Sequence, residues 1–306
     1  MQVRLLGTAA GGGFPQWNCN CSNCRGLRSG RLRAQPRTQS CVAISADSRR
    51  WFLLNASPDI RFQIESFPPL LPSPNSVRGT SLEAVLLTNA DLDHSLGLLI
   101  LREGSRLPVY VTPTVRRALT EGLRLAQVLE CYSGVDWREI AAEPSPLLCA
   151  DHSPSGLHYD AFPVAGKPPR YLAGRNSPGL GDVMAYRIVD ERTGGRLLFM
   201  PDVAALDNNT LSQMRDCEAL LLDGTFWSEN EMETMGAGTI PAAQMGHLPV
   251  GGAEGSLARI SSLPIRRKIY VHINNTNPML LEDSAERAAV ESAGVEIGWD
   301  GLEFTL

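Results

Sequence analysis

The sequence predicts an α/β protein, more consistent with one domain over residues 1–306 than with two. Short apolar runs rich in Leu and β-branched residues end in polar residues, as buried strands of a sheet covered on both faces do. Amphipathic helical patterns lie between these runs, and no linker with a change of composition divides the chain. The predicted strands are residues 3–6, 51–54, 82–87, 109–111, 196–200, 219–222 and 269–273.

Two predicted helices have clear signals at their ends. Thr112 followed by Pro113 predicts a helix start, because Thr caps the first amide groups and Pro fits the first turn. Apolar residues recur at helical spacing from there to Val128. A second helix is predicted over residues 284–293, and Gly294 is expected to end it.

The composition argues against two classes of partner. The chain carries 28 Lys and Arg against 33 Asp and Glu, a formal net charge of -5, which is unfavourable for a nucleic-acid interface. The first residues contain no apolar stretch of signal-peptide length, and the longest apolar runs fall well short of the ~20 residues that a membrane helix needs. We therefore expect no nucleic-acid partner, no membrane insertion and a cytoplasmic location.

The most informative segment is TNADLDH, residues 88–94, which follows an apolar run and precedes the sequence SLGL. A strand that ends in two carboxylates and an imidazole, and then turns into a glycine-containing helix, places metal ligands at the edge of a sheet. Asp91, Asp93 and His94 are therefore candidate functional residues.

Three further candidates lie at other predicted strands. Asp202 and Asp223 each lie at the end of a predicted strand, and His272 lies within the last one. Because the ends of strands meet at one edge of an α/β sheet, we expect these side chains to lie near the TNADLDH segment.

The remaining three histidines are weaker candidates. His247 lies in a loop before a predicted helix and would hydrogen-bond a metal ligand or transfer a proton. His152 and His158 are expected to be solvated loop residues, because a single histidine outside a cluster is usually a surface side chain.

Three of the seven cysteines form a cluster, CNCSNC, whose spacing C-x-C-x-x-C lets the sulfurs of Cys19, Cys21 and Cys24 converge on one tetrahedral zinc ion. Chance clustering or a redox pair is the alternative. The local sequence supplies no fourth ligand. The other four cysteines are expected to be small buried side chains rather than disulfide partners.

Over nearly its whole length the sequence resembles the metallo-β-lactamase superfamily, and within it the pyrroloquinoline quinone (PQQ) biosynthesis protein B family. The motifs that carry the resemblance are GTAAGGGFPQWNCNC at residues 7–21, TNADLDHSLGL at 88–98, GHLP at 246–249 and HINNTNP at 272–278. The resemblance implies a four-layer αβ/βα sandwich with two packed mixed sheets. It also implies a role in making the redox cofactor PQQ.

Carried over residue by residue, the resemblance implies one of the superfamily's two metal positions. The second position maps onto Asp93, His94, Asp202 and His272, all of which are present. The first position requires histidines at 89 and 91 and a third one near residues 162–166, and this chain has none of them. Hydrolysis by a hydroxide held between two metal ions is therefore disfavoured.

The three thiols resemble the structural zinc site of a related phosphodiesterase from the carbon–phosphorus lyase pathway. There the fourth ligand is a histidine three residues after the position of His272. This chain has Asn275 at that place. The fourth ligand of a structural zinc site here stays open.

The remaining ligands resemble the two-histidine, one-carboxylate set that holds non-heme Fe(II), although Zn or Mn would also bind such a set. The leading hypothesis is an Fe(II)- and O₂-dependent hydroxylase of the tyrosine ring in a peptide-derived Glu–Tyr precursor of PQQ. Asp202 would be a fourth ligand or orient an imidazole, and Asp91 and His247 would transfer protons.

Two alternatives to this enzyme remain open. A non-catalytic carrier would escort PQQ or its precursor toward a separate transporter and the periplasm, and a metal-dependent hydrolase is the third reading. Other proteins of the PQQ pathway are candidate partners. Lys167, Arg170 and Arg175 lie in a Pro- and Gly-rich loop, where they would bind substrate carboxylates or remain solvated.

Overall fold

A computed structural model describes residues 1–172, 179 and 181–306. Fourteen strands form the framework of these residues. They are β1 (Gln2–Gly7), β2 (Cys41–Ser45), β3 (Trp51–Leu54), β4 (Leu82–Leu86), β5 (Leu107–Val111), β6 (Val135–Glu139), β7 (Ser145–Leu148), β8 (Pro154–Pro163), β9 (Met184–Asp190), β10 (Arg196–Met200), β11 (Ala219–Asp223), β12 (Arg267–Val271), β13 (Glu296–Ile297) and β14 (Glu303–Thr305).

Short helices connect the strands. They are α1 (Ser22–Arg28), α2 (Ile60–Glu65), α3 (Leu92–Ser95), α4 (Gly97–Ile100), α5 (Pro113–Arg117), α6 (Leu125–Leu129), α7 (Asn208–Met214), α8 (Glu231–Thr234), α9 (Ala242–Met245), α10 (Ser256–Ile260) and α11 (Ala285–Ser292), with a π-helical turn at Ala118–Gly122 and 3₁₀ turns at Pro68–Leu70, Arg170–Leu172 and Pro278–Leu280.

The strands form two seven-stranded mixed sheets of matching design. The first sheet has the order β14-β1-β2-β3-β4-β5-β6, and the second has the order β13-β12-β11-β10-β9-β8-β7. In the first sheet the pairs from β14 to β3 are antiparallel and those from β3 to β6 are parallel. In the second sheet the pairs from β13 to β10 are parallel and those from β10 to β7 are antiparallel.

The two sheets pack face to face, because residues from both share one hydrophobic core. Phe52 and Leu86 of the first sheet lie in the same cluster as Phe199 and Leu221 of the second. A separate apolar cluster covers the outer face of each sheet and includes residues of the neighbouring helices. This arrangement confirms the predicted αβ/βα sandwich. It also explains the continuous apolar runs, since these strands are covered on both faces.

One predicted helix is correct and the other is not. Ser284 caps α11 by accepting a hydrogen bond from the amide of Arg287 at 3.1 Å, and Gly294 follows with a φ of 68°. The predicted helix from Thr112 to Val128 is broken into three pieces, with a left-handed residue at Arg124.

Gly122, in the π-helical turn, has a close neighbour from later in the chain. A Cβ at this position would lie 2.6 Å from Cδ2 of Leu172, so the turn Arg170–Leu172 packs tightly against the region where the helix is interrupted. Local spacing does not reveal this neighbour, which lies fifty residues later in the chain.

The structure contradicts two smaller expectations, for one cysteine and one histidine. Cys131 is exposed, whereas the other cysteines outside the cluster are buried. His158 lies in strand β8, where its Nδ1 is 2.9 Å from Glu191, and not in a loop. Within the described ranges, no helix combines the length and the apolarity that crossing a bilayer requires.

We predict that Gly97→Ala destabilises the protein by roughly 1–3 kcal/mol, because a Cβ at this position would overpack the join between the first sheet and helix α4. It would lie 2.6 Å from the carbonyl oxygen of Ala56, which accepts the amide of Gly97 at 2.9 Å. Urea denaturation measures the change. Gly238→Ala is the matched control, since the tightest contact of its Cβ would be the flexible end of Met232 at 3.2 Å. Equal stability of the two variants would contradict the prediction.

Candidate metal centre

The candidate site lies where parallel strands of the two sheets end. Strand β4 of the first sheet leads into Asn89 and helix α3, and strands β10, β11 and β12 of the second sheet lead into Asp202, Asp223 and His272. These strand ends are buried, so the polar side chains that follow them must satisfy one another or bind a ligand.

His94 has one ring nitrogen held and the other free. Its Nδ1 lies 3.0 Å from Oδ1 of Asn89 and 3.3 Å from Oδ2 of Asp202. Its Nε2 is buried and has no hydrogen-bond partner among the described residues. An imidazole that donates through one nitrogen and presents the other unpaired is arranged as a metal ligand.

His272 is the first residue after β12, so the prediction that it lies within a strand is wrong. The strand ends at Val271 because the next backbone groups pair elsewhere: the amide of Ile273 donates to Thr8 at 2.9 Å. His272 itself adopts a φ of 55°, a left-handed conformation that is costly for a residue with a Cβ. This turn brings its ring within 5.0 Å of the His94 ring, measured between centroids.

The ring of His272 is also held at Nδ1. This nitrogen lies 2.8 Å from the hydroxyl of Thr225, which donates to Asp223 at 2.6 Å. With Nδ1 held by Thr225, Nε2 is the atom that a bound metal ion would contact, in place of the proton that it carries when the ring is charged. Nε2 lies 3.1 Å from Oδ2 of Asp93. Asp93, His94 and His272 offer ligand atoms that all lie within 4.8 Å of one another.

Asn89 takes over an orienting role at a position where the superfamily pattern has a histidine. Its carbonyl oxygen faces His94, and its Nδ2 donates to Oδ2 of Asp202 at 2.8 Å. The side-chain amide of Asn89 therefore orients both the imidazole of His94 and the carboxylate of Asp202. The other oxygen of Asp202 lies 3.5 Å from Nδ1 of His272 and 3.8 Å from Nδ1 of His247.

His247 is closer to the centre than the sequence indicated. Its ring stacks on that of His272 with centroids 5.4 Å apart, and it joins Asp202 and His272 in a second group of ligand atoms within 4.8 Å. Its Nδ1 lies 2.8 Å from Oδ2 of Asp223, a fully buried carboxylate that also accepts the amide of Val203 at 2.9 Å. A histidine oriented by a buried carboxylate is suited to binding metal or transferring a proton through Nε2.

Thr225 was not singled out by sequence reasoning, yet its hydroxyl contacts both histidines. It lies 3.2 Å from Nδ1 of His247, in addition to its contact with His272. The only local signal is the sequence Asp-Gly-Thr at the end of an apolar run. Nothing in that signal shows which imidazoles the threonine will meet, since they lie 22 and 47 residues later.

The electrostatics of the cluster favour a cation. Burial opposes protonation of His272, but the carboxylates of Asp202 and Asp93 outweigh it and raise the pKa of His272 to about 10. Burial likewise works against the charge of Asp93, yet His94 and His272 hold its pKa below the usual range. The position between these side chains therefore stabilises positive charge, whether a proton or a metal ion carries it.

Asp91 lies beside the cluster and does not belong to either group of ligand atoms in the described chain. Its backbone amide donates to Oδ1 of Asn89 at 3.0 Å, and its carbonyl accepts the hydroxyl of Ser95 at 2.8 Å. Burial, reinforced by the charges of Asp93 and Asp202, raises the pKa of Asp91 to about 7. A carboxyl group with this pKa can exchange protons near neutral pH.

The cysteine cluster forms a second candidate metal site. The sulfurs of Cys19, Cys21 and Cys24 lie within 4.8 Å of one another, and the side-chain nitrogen of Asn275 contacts all three. Three sulfurs bound to one zinc ion at about 2.3 Å would lie about 3.8 Å apart. The observed spacing fits a structural zinc site better than a disulfide.

Lys167, one of the three loop cations considered as carboxylate-binding or solvated residues, packs against the loop that carries His247. Its Nζ donates to the carbonyl of Gln244 at 2.9 Å, and its stem lies over Gly246, where a Cβ would be 3.2 Å from its Cγ. Arg170 is exposed in the turn that follows. Arg175 lies outside the described residues.

Comparison with known proteins places these features in a family. Residues 50–273 match the model of the β-lactamase superfamily domain. The chain is 45% identical over 307 aligned residues to coenzyme PQQ synthesis protein B of Azotobacter vinelandii and 43% identical to that of Pseudomonas putida strain W619, with full coverage of both chains in each case.

Solved structures agree with this assignment. The chain is similar to Zn²⁺-bound PqqB from Methylobacterium extorquens, with 39% identity, full coverage of both chains and a TM-score of 0.91. A diphosphatase from the PhnP family covers the whole chain at 18% identity and a TM-score of 0.68, with 97% of its own length matched, which shows a shared fold.

We predict that Thr225→Val lowers the affinity of the site for a divalent metal by ~10- to 100-fold, because it removes the hydroxyl that orients His272 and His247. Titration with Mn²⁺, followed by electron paramagnetic resonance, measures the affinity. Thr234→Val, at an exposed position in α8, is the matched control and should bind as the unmodified protein does. Unchanged affinity in the folded Thr225→Val variant would show that the hydroxyl does not position the ligands.

Proposed function

The chain belongs to the coenzyme PQQ synthesis protein B family, and on this premise we propose that it acts in PQQ biosynthesis as an iron- and O₂-dependent hydroxylase. Its substrate would be the tyrosine ring of a peptide-derived Glu–Tyr precursor. The observation that supports this best is the ligand group of Asp93, His94 and His272. Two imidazoles and one carboxylate hold non-heme Fe(II) and leave positions open for substrate and O₂.

The replaced histidines favour oxidation over hydrolysis. A second metal ion would need ligands at positions 89 and 91, but Asn89 is engaged with His94 and Asp202 through hydrogen bonds. A hydroxide held between two ions is therefore poorly supported. When bound, iron(II) would supply the electron transfer to O₂ for which zinc has no accessible redox state.

Each side chain has a defined part in this proposal. Asp93, His94 and His272 would hold the metal, and Asp202 would add a ligand through Oδ1, the oxygen that Asn89 does not occupy. His247 would receive the phenol proton at Nε2, because Asp223 holds its Nδ1 and stabilises the protonated ring.

The proposed reaction balances with an external reductant. One atom of O₂ replaces a ring hydrogen as a hydroxyl group. The other atom leaves as water, using two electrons from the reductant and two protons. Asp91, whose pKa burial raises to about 7, would pass protons at the edge of the site.

Lys167 would recognise a carboxylate of the dipeptide-like substrate. Burial lowers the pKa of Lys167, while the charges of Asp91 and Asp202 oppose this shift. The ammonium group therefore interacts electrostatically with these two carboxylates. The backbone between β8 and Lys167 is tied to the same region, because the amide of Ala204 donates to Ala165 at 2.8 Å. A positive charge beside an acidic site offsets the repulsion that a substrate carboxylate would meet there.

We predict that the protein loaded anaerobically with Fe(II) adds one oxygen atom to a Glu–Tyr substrate when O₂ and ascorbate are admitted. Mass spectrometry with ¹⁸O₂ measures the incorporation. His94→Ala and His272→Ala should abolish it, since each removes one imidazole from the ligand group. His158→Ala, whose ring pairs with Glu191 on strand β8, is the matched control and should retain the activity.

The other outcomes identify the alternatives. Tight binding of the precursor or PQQ without turnover would replace the hydroxylase with a carrier. Cleavage of a phosphodiester with Zn²⁺ or Mn²⁺, dependent on the same histidines, would replace it with a hydrolase.

We predict that Lys167→Gln weakens anaerobic binding of the Glu–Tyr dipeptide by ~10-fold or more, because a charge-assisted hydrogen bond to the carboxylate is lost. The affinity of the site for its metal ion should not change, since Lys167 belongs to neither group of ligand atoms. Isothermal titration with the dipeptide and with its diamide separates the charge effect from general binding. Arg170→Gln is the control at a neighbouring exposed cation. Equal loss of dipeptide and diamide binding would remove Lys167 from carboxylate recognition.

A further inference from the structure

Three consecutive glycines, Gly11, Gly12 and Gly13, lie in the loop after strand β1. Gly12 and Gly13 have φ values of 93° and 71°, in the left-handed region where a residue with a Cβ is strained. The φ of Gly11 lies outside this region. Backbone conformation therefore explains the glycines at positions 12 and 13, but the glycine at position 11 needs another explanation.

Gly11 lies directly against Asp93, one of the candidate metal ligands. A Cβ at Gly11 would lie 3.3 Å from Oδ2 of Asp93, and its three nearest atoms would all belong to that side chain. The same Oδ2 lies 3.1 Å from Nε2 of His272 and 4.0 Å from Nε2 of His94. A metal ion bound about 2.1 Å from Oδ2 would therefore lie no more than about 5.4 Å from this Cβ. Position 11 borders the space that a metal ion and its further ligands would occupy.

Gly11 also lies on the side of the ligand group that solvent reaches. The side chain of Asp93 is 16% exposed, compared with 0% for His94 and 5% for His272. Gly11, which is itself exposed, covers part of this most accessible ligand with backbone alone. A molecule that approaches the ligand group from solvent beside Asp93 therefore passes over the backbone of Gly11.

Hydrogen bonds on both sides of Gly11 fix the backbone path of the loop. Before it, the amide of Ala10 donates to the carbonyl of Ile273 at 3.0 Å. After it, the amide of Gly12 donates to Oε1 of Gln39 at 3.0 Å, and Nε2 of the same glutamine donates to a carboxylate at 2.9 Å, which holds the amide in this orientation. Because the loop is anchored in this way, a side chain at position 11 would project over Asp93 and would not displace the backbone from it.

We propose that the missing side chain at Gly11 is a specificity determinant, because it keeps open the path by which an aromatic ring reaches the metal beside Asp93. The aromatic nature of the ligand rests on the proposed hydroxylation of a tyrosine ring, whereas the open path rests on the geometry of the loop. A ring packs about 3.5–4.0 Å from the atoms that it contacts. It can therefore lie against the peptide groups of Gly11, but a Cβ would fill the space beside Oδ2 that the ring needs.

This role differs from a purely structural one in what a substitution at Gly11 changes. An added methyl group removes none of the ligand atoms of Asp93, His94 and His272. It narrows the approach for a ring while leaving room for a diatomic molecule. Binding of a ring should therefore fall while the affinities for the metal ion and for a diatomic ligand stay the same. If Gly11 served only to place Asp93, all three affinities would fall together.

The first experiment compares three probes on the whole protein. Mn²⁺ affinity is followed by electron paramagnetic resonance, nitric oxide binding to the Fe(II)-loaded protein by the same method, and anaerobic binding of 4-nitrocatechol by visible absorption. Gly11→Ala should weaken 4-nitrocatechol binding by ~10-fold or more, and Gly11→Val should weaken it further, because each overpacks the contact with the ring. The affinities for Mn²⁺ and nitric oxide should stay within about twofold in both variants, since their ligand atoms are retained. Gly238→Ala, at an exposed glycine with its tightest contact at 3.2 Å, is the matched control.

Three results would overturn the proposal. The unmodified protein would fail to bind 4-nitrocatechol, the Gly11 variants would bind it as tightly as the unmodified protein, or Mn²⁺ affinity would fall in the same proportion as ring binding. None of these measurements requires turnover. Failure of the hydroxylation experiment would therefore leave the access role of Gly11 standing, and failure here would leave the hydroxylase to be tested by oxygen incorporation.

The second experiment needs no stable variant of Gly11. The unmodified protein is labelled with ¹³C-glycine, loaded with diamagnetic Zn²⁺ and saturated with 4-nitrocatechol. Nuclear Overhauser effects should connect the ring protons to the α-protons of Gly11, whose signal is the one that disappears in Gly11→Ala, and should be absent for Gly238. A bound ring without any such effect to Gly11 would show that it reaches the metal by another path and would end the proposal.

Discussion

Buried negative charge at the meeting point of the two sheets is the constraint on which the rest of the site depends. Asp202 and Asp223 are buried, and the side chain of Asp93 beside them is only 16% exposed. Isolated buried carboxylates are strongly unfavourable, so the surrounding groups must donate hydrogen bonds or carry positive charge. Three imidazoles, a threonine and an amide supply these hydrogen bonds and charges. The three imidazoles are held through Nδ1, so that their Nε2 atoms can face a cation.

The placement of polar residues after buried strands was predictable because it follows from local pattern. Asp202 and Asp223 each end an apolar run, and such runs can be recognised from a few neighbouring residues. The TNADLDH segment was informative for the same reason. The turn at His272 was less predictable, since its strand ends where the backbone of Ile273 pairs with Thr8, almost the whole chain away.

The orienting residues were harder to find than the ligands. Asn89 was noted only as a missing histidine, but it bonds both His94 and Asp202, and the latter contact spans 113 positions. Thr225 carried no signal of its own. A ligand type can be inferred from its own chemistry, whereas an orienting residue is defined by its partners, which single-sequence patterns do not identify.

The matching design of the two sheets has a consequence for biogenesis. Asp93 and His94 come from the first sheet, while Asp202, His247 and His272 come from the second, which starts after strand β6. A nascent polypeptide emerging from the ribosome thus carries an incomplete chelating set until its later portion has been synthesised and docked. Metal capture at this location is thereby delayed to a late stage of maturation, and incompletely assembled molecules offer the cell's free metal pool little to bind there.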